Sequence, residues 1–345
     1  MSPDLWADRP DLRPWCARLI ECAGRWRPDP ALDVDACLIV DGVSRAAAAA
    51  APWLIHPCMN ALTDPNVDGR SERDVRFITW VAAHTQGATG ALTLEHPSWR
   101  WSVDGRAVPV PAGRHDLASL VAEDRIIDPV DPVVLPAIAI DPFCRSTGLP
   151  LPLSWIEPLT PADASLVDMA IREIGHALAL FARTLPACAR WASAVTRVMV
   201  PLRHDGTTWS SGSQPEIPGL IHVSGLHGPV AALEGLVHES AHHYFTMREA
   251  REPLIDPGHE KLYPSPLRSA GRPLRSVFLA VHALRHIVAF YDGGLETGLL
   301  GPEWRDRRDH AEGLLDQGLA TLIGARRHFT SPGDMLLSTL IESPG

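Results

Sequence analysis

Lysine is almost absent from this chain, since Lys261 is the single lysine among its 31 basic residues and the arginines are scattered along 345 positions. The formal net charge is −10, with 41 acidic residues. Binding to nucleic acid requires clustered cations that neutralise phosphates, and the sequence has no basic stripe interleaved with aromatic residues. The composition therefore predicts no nucleic-acid partner.

Long apolar runs are also missing. No stretch of about 18 uncharged apolar residues occurs, so the sequence offers no candidate for a membrane span. The first eight residues are acidic and lack the basic segment and apolar core of a secretory signal. We therefore expect no membrane partner and a cytoplasmic location. The apolar fraction of 46% and the charged fraction of 21% are typical of a globular protein with a buried core.

Cysteine pairs of the Cys-x-x-Cys type are absent, although the chain has six cysteines. In a cytoplasmic protein we interpret such dispersed cysteines as reduced and mostly buried. Any metal site would then draw its ligands from His, Asp or Glu.

Residues 235–244 contain the one pattern whose spacing dictates chemistry. Apolar residues recur there at three- and four-residue intervals, which predicts an α-helix with Pro229 in its first turn. On a helix, His238 and His242 lie one turn apart on the same face and can direct two imidazoles at one cation. Glu239 lies beside them. The pattern predicts a metal site but fixes neither the metal nor the reaction.

A proline-rich segment at residues 128–158 divides the chain, with seven prolines along its length. Because proline interrupts helices and central strands, this segment is either a connector or an irregular stretch wrapped over one domain. We take residues 1–127 as an N-terminal region and residues 159–345 as the metal-binding catalytic domain.

The two regions differ in their predicted elements. Before the prolines, helical stripes cover residues 11–26 and 45–62, and short β-type segments occupy residues 75–82, 91–95, 100–103 and 107–110. After the prolines, helices dominate and strands are predicted at residues 196–203 and 219–224. The predicted class is α+β, with a mainly helical metal-binding C-terminal half that has a small antiparallel sheet, and a mixed α/β N-terminal half.

A catalytic metal generally takes three protein ligands, so a third must accompany the two histidines. A second long helix, opened by Pro273 and predicted to stop at the Asp-Gly-Gly that begins with Asp292, carries His282 and His286. Either histidine can face the first helix across an antiparallel pairing. Glu260 and Glu296 are the carboxylate alternatives for the third ligand. His243 and His259 are interpreted as bystanders.

Five motifs occur together over roughly residues 190 to 330, and their joint spacing is more specific than any one of them. They are His238-Glu-x-x-His242, Leu254-Ile-Asp-Pro257, Tyr263-x-x-Pro-Leu-Arg268, Arg272-Pro-Leu and an apolar helix with His282. This combination resembles the bacterial HExxH proteins encoded with ribosomally synthesised peptide natural products. Members of that family are regarded as Fe(II)- and 2-oxoglutarate-dependent peptide β-hydroxylases.

The resemblance implies that His238, His242 and His282 bind Fe(II) and that a precursor peptide is the substrate. The distal carboxylate of 2-oxoglutarate requires a cation, and Arg268 and Arg272 are the candidates because arginine binds carboxylates bidentately. Two further side chains are candidates for binding the same carboxylate. Tyr263 could add a hydroxyl, and Lys261 is a competing cation. The resemblance does not extend to the N-terminal half, to which we assign peptide recognition as a hypothesis.

Two other classes of function compete with this interpretation. In a zinc peptidase, Glu239 would be the general base that takes a proton from metal-bound water, and the strand at residues 219–224 would hold the peptide. In the hydroxylase, Glu239 would instead orient a ligand. A peptide-binding or structural protein with a relict site is the third class, and the presence of all three histidines together with Glu239 counts against it. The sequence does not indicate an oligomeric state.

Overall fold

The computed structural model describes residues 5–6, 10, 12–27, 32, 36–48, 78–79, 81–82, 90–101, 107–121, 133–134, 164–202, 210–215, 218–224 and 227–342. The described helices in chain order are α1 (Arg13–Arg25), α2 (Ala36–Ala48), α3 (Leu117–Val121), α4 (Ala164–Thr184), α5 (Pro186–Val195), α6 (Pro229–Arg251), α7 (Leu274–Thr297), α8 (Arg305–Gly324) and α9 (Ser331–Glu342). The described strands are β1 (Ala91–Leu94), β2 (Ser98–Trp101), β3 (Ala107–Val110), β4 (Gly113–Asp116), β5 (Val133–Val134), β6 (Val198–Pro201), β7 (Ser211–Ser213), β8 (Leu220–Val223), β9 (Leu262–Ser265) and β10 (Arg268–Pro273).

The N-terminal half mixes helices with two antiparallel strand pairs, as predicted. α1 carries the expected stripe, with Trp15, Cys16, Leu19 and Ala23 buried at helical spacing. α2 begins at Ala36 and so covers the start of the second predicted helix, whose continuation beyond residue 48 lies outside the described residues. β1 pairs with β4 and β2 pairs with β3, which confirms the strand predictions at residues 91–95 and 107–110 and places β2 slightly before residues 100–103.

The strand predicted at residues 75–82 is wrong. The described residues of that segment, Ile78, Thr79, Val81 and Ala82, are helical, and all of them are buried. A short apolar run buried on every side has no alternation that distinguishes a strand from a helix, which explains the error.

A four-stranded mixed sheet supports the C-terminal half, with the strand order β5, β6, β8, β7. β5, β6 and β8 are parallel, whereas β7 is antiparallel to β8. β5 belongs to the proline-rich segment, so this part of the segment is joined to the sheet; its other residues lie outside the described ones. The division into regions at residues 128 and 158 stays a prediction.

β8 lies inside the sheet and not at its edge. It pairs with β6 on one side and with β7 on the other, so its backbone has no free side for a peptide. The idea that residues 219–224 hold an extended peptide is therefore wrong. Within the described residues, the edge position next to α6 belongs to β7.

The two histidine-bearing helices, α6 and α7, pack antiparallel, as predicted. Their contacts run in opposite directions along the chain, from Ala241 with His282, through Phe245 with Phe278, to Glu249 with Arg275. α7 is long and apolar enough to cross a membrane by length and composition, but 83% of its apolar window is buried inside the protein, which is typical of a core helix.

α7 continues past Asp292, where the sequence predicted its end. The following glycines are buried in the helix, and a Cβ on Gly294 would lie 2.6 Å from Leu300 Cδ1, so glycine there allows the returning chain to approach closely. The helix ends instead at Gly298, whose φ of 73° is the left-handed conformation that glycine adopts without a steric penalty.

The hairpin of β9 and β10 connects α6 to α7. Arg268 pairs with Ser265 and Arg272 pairs with Tyr263, with a register shift between them. α8 then packs along α7, and a Cβ on Gly318 would lie 2.4 Å from Val281 Cγ2, which shows how close the two helices come. The predicted α+β class, with a mainly helical C-terminal half, is confirmed.

Candidate metal centre

α6 directs a histidine, a glutamate and a second histidine at one point. The ring centroids of His238 and His242 lie 4.5 Å apart with an interplanar angle of 85°. One potential ligand atom from each of His238, Glu239 and His242 lies within 4.8 Å of the corresponding atoms of the other two. Within the described part of the chain, this is the one group of at least three such side chains that could hold a metal ion.

The environment of His242 suits a metal ligand. Burial lowers the pKa of its imidazole well below the ordinary value, and electrostatic repulsion from His238, His243, Arg275 and Arg272 lowers it further. A neutral imidazole is the form that coordinates a metal. Its Nδ1 is buried and has no hydrogen-bond partner among the described residues. The His238 side chain, by contrast, is 27% exposed, so solvent reaches the group from that side.

Both carboxylate oxygens of Glu239 accept hydrogen bonds from serines of β7. Ser211 Oγ donates to Oε1 at 2.7 Å, and Ser213 Oγ donates to Oε2 at 2.6 Å. The carboxylate side chain is 3% exposed, and its Oε1 lies 3.8 Å from His238 Nε2. Glu239 is therefore fixed between the sheet and the first histidine of the pair.

Two buried histidines lie behind Glu239. Burial lowers the pKa of His222 and of His243 to about 4, although the Glu239 carboxylate acts in the opposite direction on both. The His222 imidazole also bonds to the Gly212 carbonyl, and the His243 imidazole to the Leu220 carbonyl. His243, expected to be a bystander, thus connects α6 to β8.

The close approach of α6 to the sheet depends on Gly235, one turn before Glu239. A Cβ at this position would lie 3.0 Å from Val223 Cγ1 and 3.1 Å from Ser211 Cβ. These distances are shorter than ordinary van der Waals contact, so a larger residue would push β7 and β8 away from the helix. The glycine allows the serine hydroxyls to reach the carboxylate.

His282 lies on α7 beside the group but outside the set of atoms within 4.8 Å. Its imidazole bonds to the Ala241 carbonyl, and its ring lies 5.7 Å from Phe245 and 4.6 Å from His286 between centroids. Burial lowers its pKa well below the ordinary value, and His242 is close enough to contribute. Its Nδ1 is buried without a hydrogen-bond partner in the described part of the chain. Its role as third ligand stays a prediction.

The alternative third ligands lie in other surroundings. His286 Nδ1 donates to the His282 carbonyl at 2.8 Å, and its ring stacks on Trp191 with 4.5 Å between centroids. Glu260 and Glu296 are exposed. His259, expected to be a bystander, bonds to Tyr263 and stacks on His328.

The predicted cofactor-binding residues separate into two places. Arg272 is half-buried and near enough to His242 to affect its pKa, as is Arg275. Arg275, which the sequence had not singled out, donates from Nε to both oxygens of Glu249 at 2.8 Å. Arg268 is exposed at the other end of β10.

Tyr263 lies opposite Arg272 in the hairpin, and its hydroxyl is 2.9 Å from His259 Nε2. The Lys261 ammonium lies 5.3 Å from the centre of the Tyr263 ring. Both side chains therefore belong to a cluster next to Arg272, on the hairpin between the two histidine helices.

Ser211, Ser213 and His222 are the site residues that the sequence did not suggest. They are distant along the chain from Glu239, and they carry no motif of their own. The alternation Ser-Gly-Ser is compatible with a strand that shows both serines to one face, but only the paired fold brings that face to α6.

The sequence matches no protein-family model, and a search of curated proteins found no match.

Proposed function

We propose that this chain binds Fe(II) on α6 and catalyses the 2-oxoglutarate-dependent β-hydroxylation of a residue in a ribosomally synthesised precursor peptide. The observation that carries the proposal is the group of His238, Glu239 and His242, in which the charge of Arg272 contributes to the lowered pKa of His242. A metal site and a neighbouring cation are what an iron-bound 2-oxo acid with a distal carboxylate requires.

The histidines fit a divalent metal. The lowered pKa of His242 keeps its imidazole neutral at neutral pH, and the i, i+4 spacing directs it toward the same point as His238. In this proposal His282 is the third ligand, offered from the facing helix. With iron, 2-oxoglutarate and dioxygen bound, the site would exchange a C–H bond of the peptide for C–OH and form succinate and CO₂.

Arg272 is the residue that we assign to the distal carboxylate of 2-oxoglutarate. Arg275, the other guanidinium near His242, is already paired with the Glu249 carboxylate through its Nε. Arg268 was an equal candidate in the sequence, but its exposed position at the start of β10 makes it the weaker one. Tyr263 could add a hydroxyl next to Arg272 if the bond to His259 opens.

The edge strand β7 supports a peptide as the substrate. Ser224 N donates to the Ser210 carbonyl at 3.0 Å, so Ser210 and Ser224 form a hydrogen-bonded pair between β7 and β8. In an antiparallel pair every second position is hydrogen-bonded, so the next such pair is Gly212 with His222. By alternation, the backbone groups of Ser211 and Ser213 point away from β8. Among the described residues no strand pairs with this side of β7, so an extended peptide can add there, next to the strand whose serines contact Glu239.

Anaerobic reconstitution tests the proposal. The protein is loaded with Fe(II) without oxygen, then given 2-oxoglutarate, oxygen and a precursor peptide encoded near it. We expect the peptide to gain the mass of one oxygen and succinate to form in equal amount, with neither product from His242→Ala.

The same experiment with Zn(II) and no 2-oxoglutarate tests the peptidase alternative, in which Glu239 is the general base. Cleavage of the peptide under these conditions, together with no succinate from the iron-loaded protein, would refute hydroxylation.

A further inference from the structure

We propose that Ser211 and Ser213 are positioning residues of the metal centre, which hold the Glu239 carboxylate immobile beside His238. Glu239 would then supply fixed negative charge to a bound cation and would not act as a general base. The proposal rests on the metal site described above, but it does not depend on hydroxylation.

The two serine hydroxyls bind both oxygens of the Glu239 carboxylate. Residues two apart on a strand show their side chains to the same face, so β7 presents Ser211 and Ser213 together to α6 and turns Gly212 the other way. Each serine bonds to a different oxygen of Glu239. One contact would leave the carboxylate free to rotate about its last bond, whereas two contacts fix its plane.

The two hydrogen bonds satisfy a buried carboxylate. Ser211 Oγ and Ser213 Oγ lie 2.7 and 2.6 Å from the two Glu239 oxygens, within the ordinary range for a hydroxyl donor. A carboxylate that is almost fully buried needs such partners, because burying a polar group without a hydrogen bond costs free energy.

The Glu239 carboxylate that the serines hold lies next to the candidate metal site. Glu239 Oε1, the oxygen that Ser211 holds, is also the oxygen 3.8 Å from His238 Nε2. A negative charge fixed at this distance favours a cation on the imidazoles. A general base must in addition follow the proton that it takes, and a hydrogen bond on each carboxylate oxygen restricts this movement.

Metal affinity measured without 2-oxoglutarate or peptide is the test. Co(II) is titrated into metal-free protein, and its visible absorption reports the affinity and the ligand geometry. We expect about 10- to 100-fold weaker binding in the Ser211→Ala, Ser213→Ala double variant, because partners that orient a metal site contribute that much. Each single variant should lose less, and Ser213→Thr, which keeps the hydroxyl, should restore affinity relative to Ser213→Ala.

Ser224→Ala is the matched control. Ser224 Oγ bonds to the backbone of Ser210 at the same strand pair but does not contact Glu239, so its removal should leave Co(II) affinity unchanged. If Ser224→Ala weakens binding as much as the serine double variant, the effect is one of strand stability and the proposal is wrong.

A double-mutant cycle separates an effect through Glu239 from any other. In a Glu239→Gln background, the serine substitutions should change Co(II) affinity by less than about 2-fold, since their target charge is already gone. Unchanged affinity and an unchanged Co(II) spectrum in the serine double variant would overturn the proposal. Failure of the iron-loaded protein to form succinate would refute hydroxylation but leave this result standing.

Discussion

Arg272 is the single residue whose substitution distinguishes a 2-oxoglutarate site from a bare metal site. We expect Arg272→Gln to raise the KM for 2-oxoglutarate about 10- to 100-fold, because a charge-assisted hydrogen bond to a carboxylate contributes about 1.5–3 kcal/mol. Metal affinity should change little. Succinate formation at varied 2-oxoglutarate concentration gives the KM, and Co(II) titration gives the metal affinity.

Two comparisons complete the Arg272 experiment. Arg268→Gln tests the second sequence candidate and should have the smaller effect, since Arg268 is exposed at the far end of β10. Arg305→Gln changes an exposed arginine of α8 and controls for the loss of one positive charge. A KM that rises equally in all three variants would contradict the assignment.

The buried histidines make stability depend on pH. Burial lowers the pKa of His286 and of His222 to about 4, below the ordinary value of 6.5 that applies when the chain is unfolded. Between these values the unfolded chain binds more protons, so the free energy of unfolding rises with pH. We expect full stability above about pH 6.5 and a loss of at most about 3 kcal/mol per histidine as the pH falls toward 4.

Urea unfolding of the metal-free protein between pH 7.5 and 4.5 measures this dependence. His286→Phe should flatten it, because phenylalanine can keep the stacking on Trp191 but does not titrate. His310→Phe changes an exposed histidine and should leave the slope as it is. An unaltered slope in His286→Phe would show that folding does not lower the pKa of this imidazole.

At the scale of elements, the contact between α6 and the sheet decides whether Glu239 is held. We expect Gly235→Ala to destabilise the protein by roughly 1–3 kcal/mol and to weaken Co(II) binding, because its methyl group would press on Val223 and Ser211. Alanine is otherwise the better helix former by about 1 kcal/mol, so the loss must come from the sheet contact.

Gly313→Ala is the matched control for Gly235. Gly313 lies in α8 and is exposed, and a methyl group added to it would meet no atom within 4 Å, so the substitution should stabilise by up to about 1 kcal/mol. If both alanine variants are stabilised, the helix and the sheet can move apart without cost and Gly235 is not a spacer.

The elements that the sequence predicted well are those with a periodic apolar pattern. α1, α6 and α7 follow from such stripes, and the i, i+4 spacing was enough to place His238 and His242 on one face. The end of α7 was not predictable, because Gly293 and Gly294 are helical for a tertiary reason, the close packing of Leu300.

Only the part of the candidate site that lies on α6 was predictable from the sequence. The hydroxyls that donate to the Glu239 carboxylate belong to Ser211 and Ser213, which are 28 and 26 residues away in the sequence. Their contact with Glu239 depends on the antiparallel pairing of β7 with β8. The same holds for the electrostatic effect of Arg272 on His242, since the hairpin of β9 and β10 was not anticipated. Contacts made across elements leave no local pattern for a single sequence to show.

At the scale of the whole molecule, Trp6 of the N-terminal segment packs against residues of the C-terminal half. The Trp6 ring lies 5.1 Å from Trp191 and 5.5 Å from His286 between centroids, in edge-on arrangements. Trp191 in turn stacks on Tyr244 of α6 at 4.6 Å. Trp6 thus extends a series of aromatic ring contacts that reaches Tyr244 on α6, the helix of His238 and His242.

This packing predicts that the N-terminal region cannot be removed without loss of stability. We expect Trp6→Ala to lower the free energy of unfolding by about 3–5 kcal/mol, the usual cost of deleting a large buried aromatic side chain. Trp6→Phe, which keeps an aromatic ring, should lose less, and the urea midpoint of the full chain measures both. Equal midpoints for Trp6→Ala and the unaltered protein would mean that the contacts of Trp6 with Trp191 and His286 do not stabilise the fold.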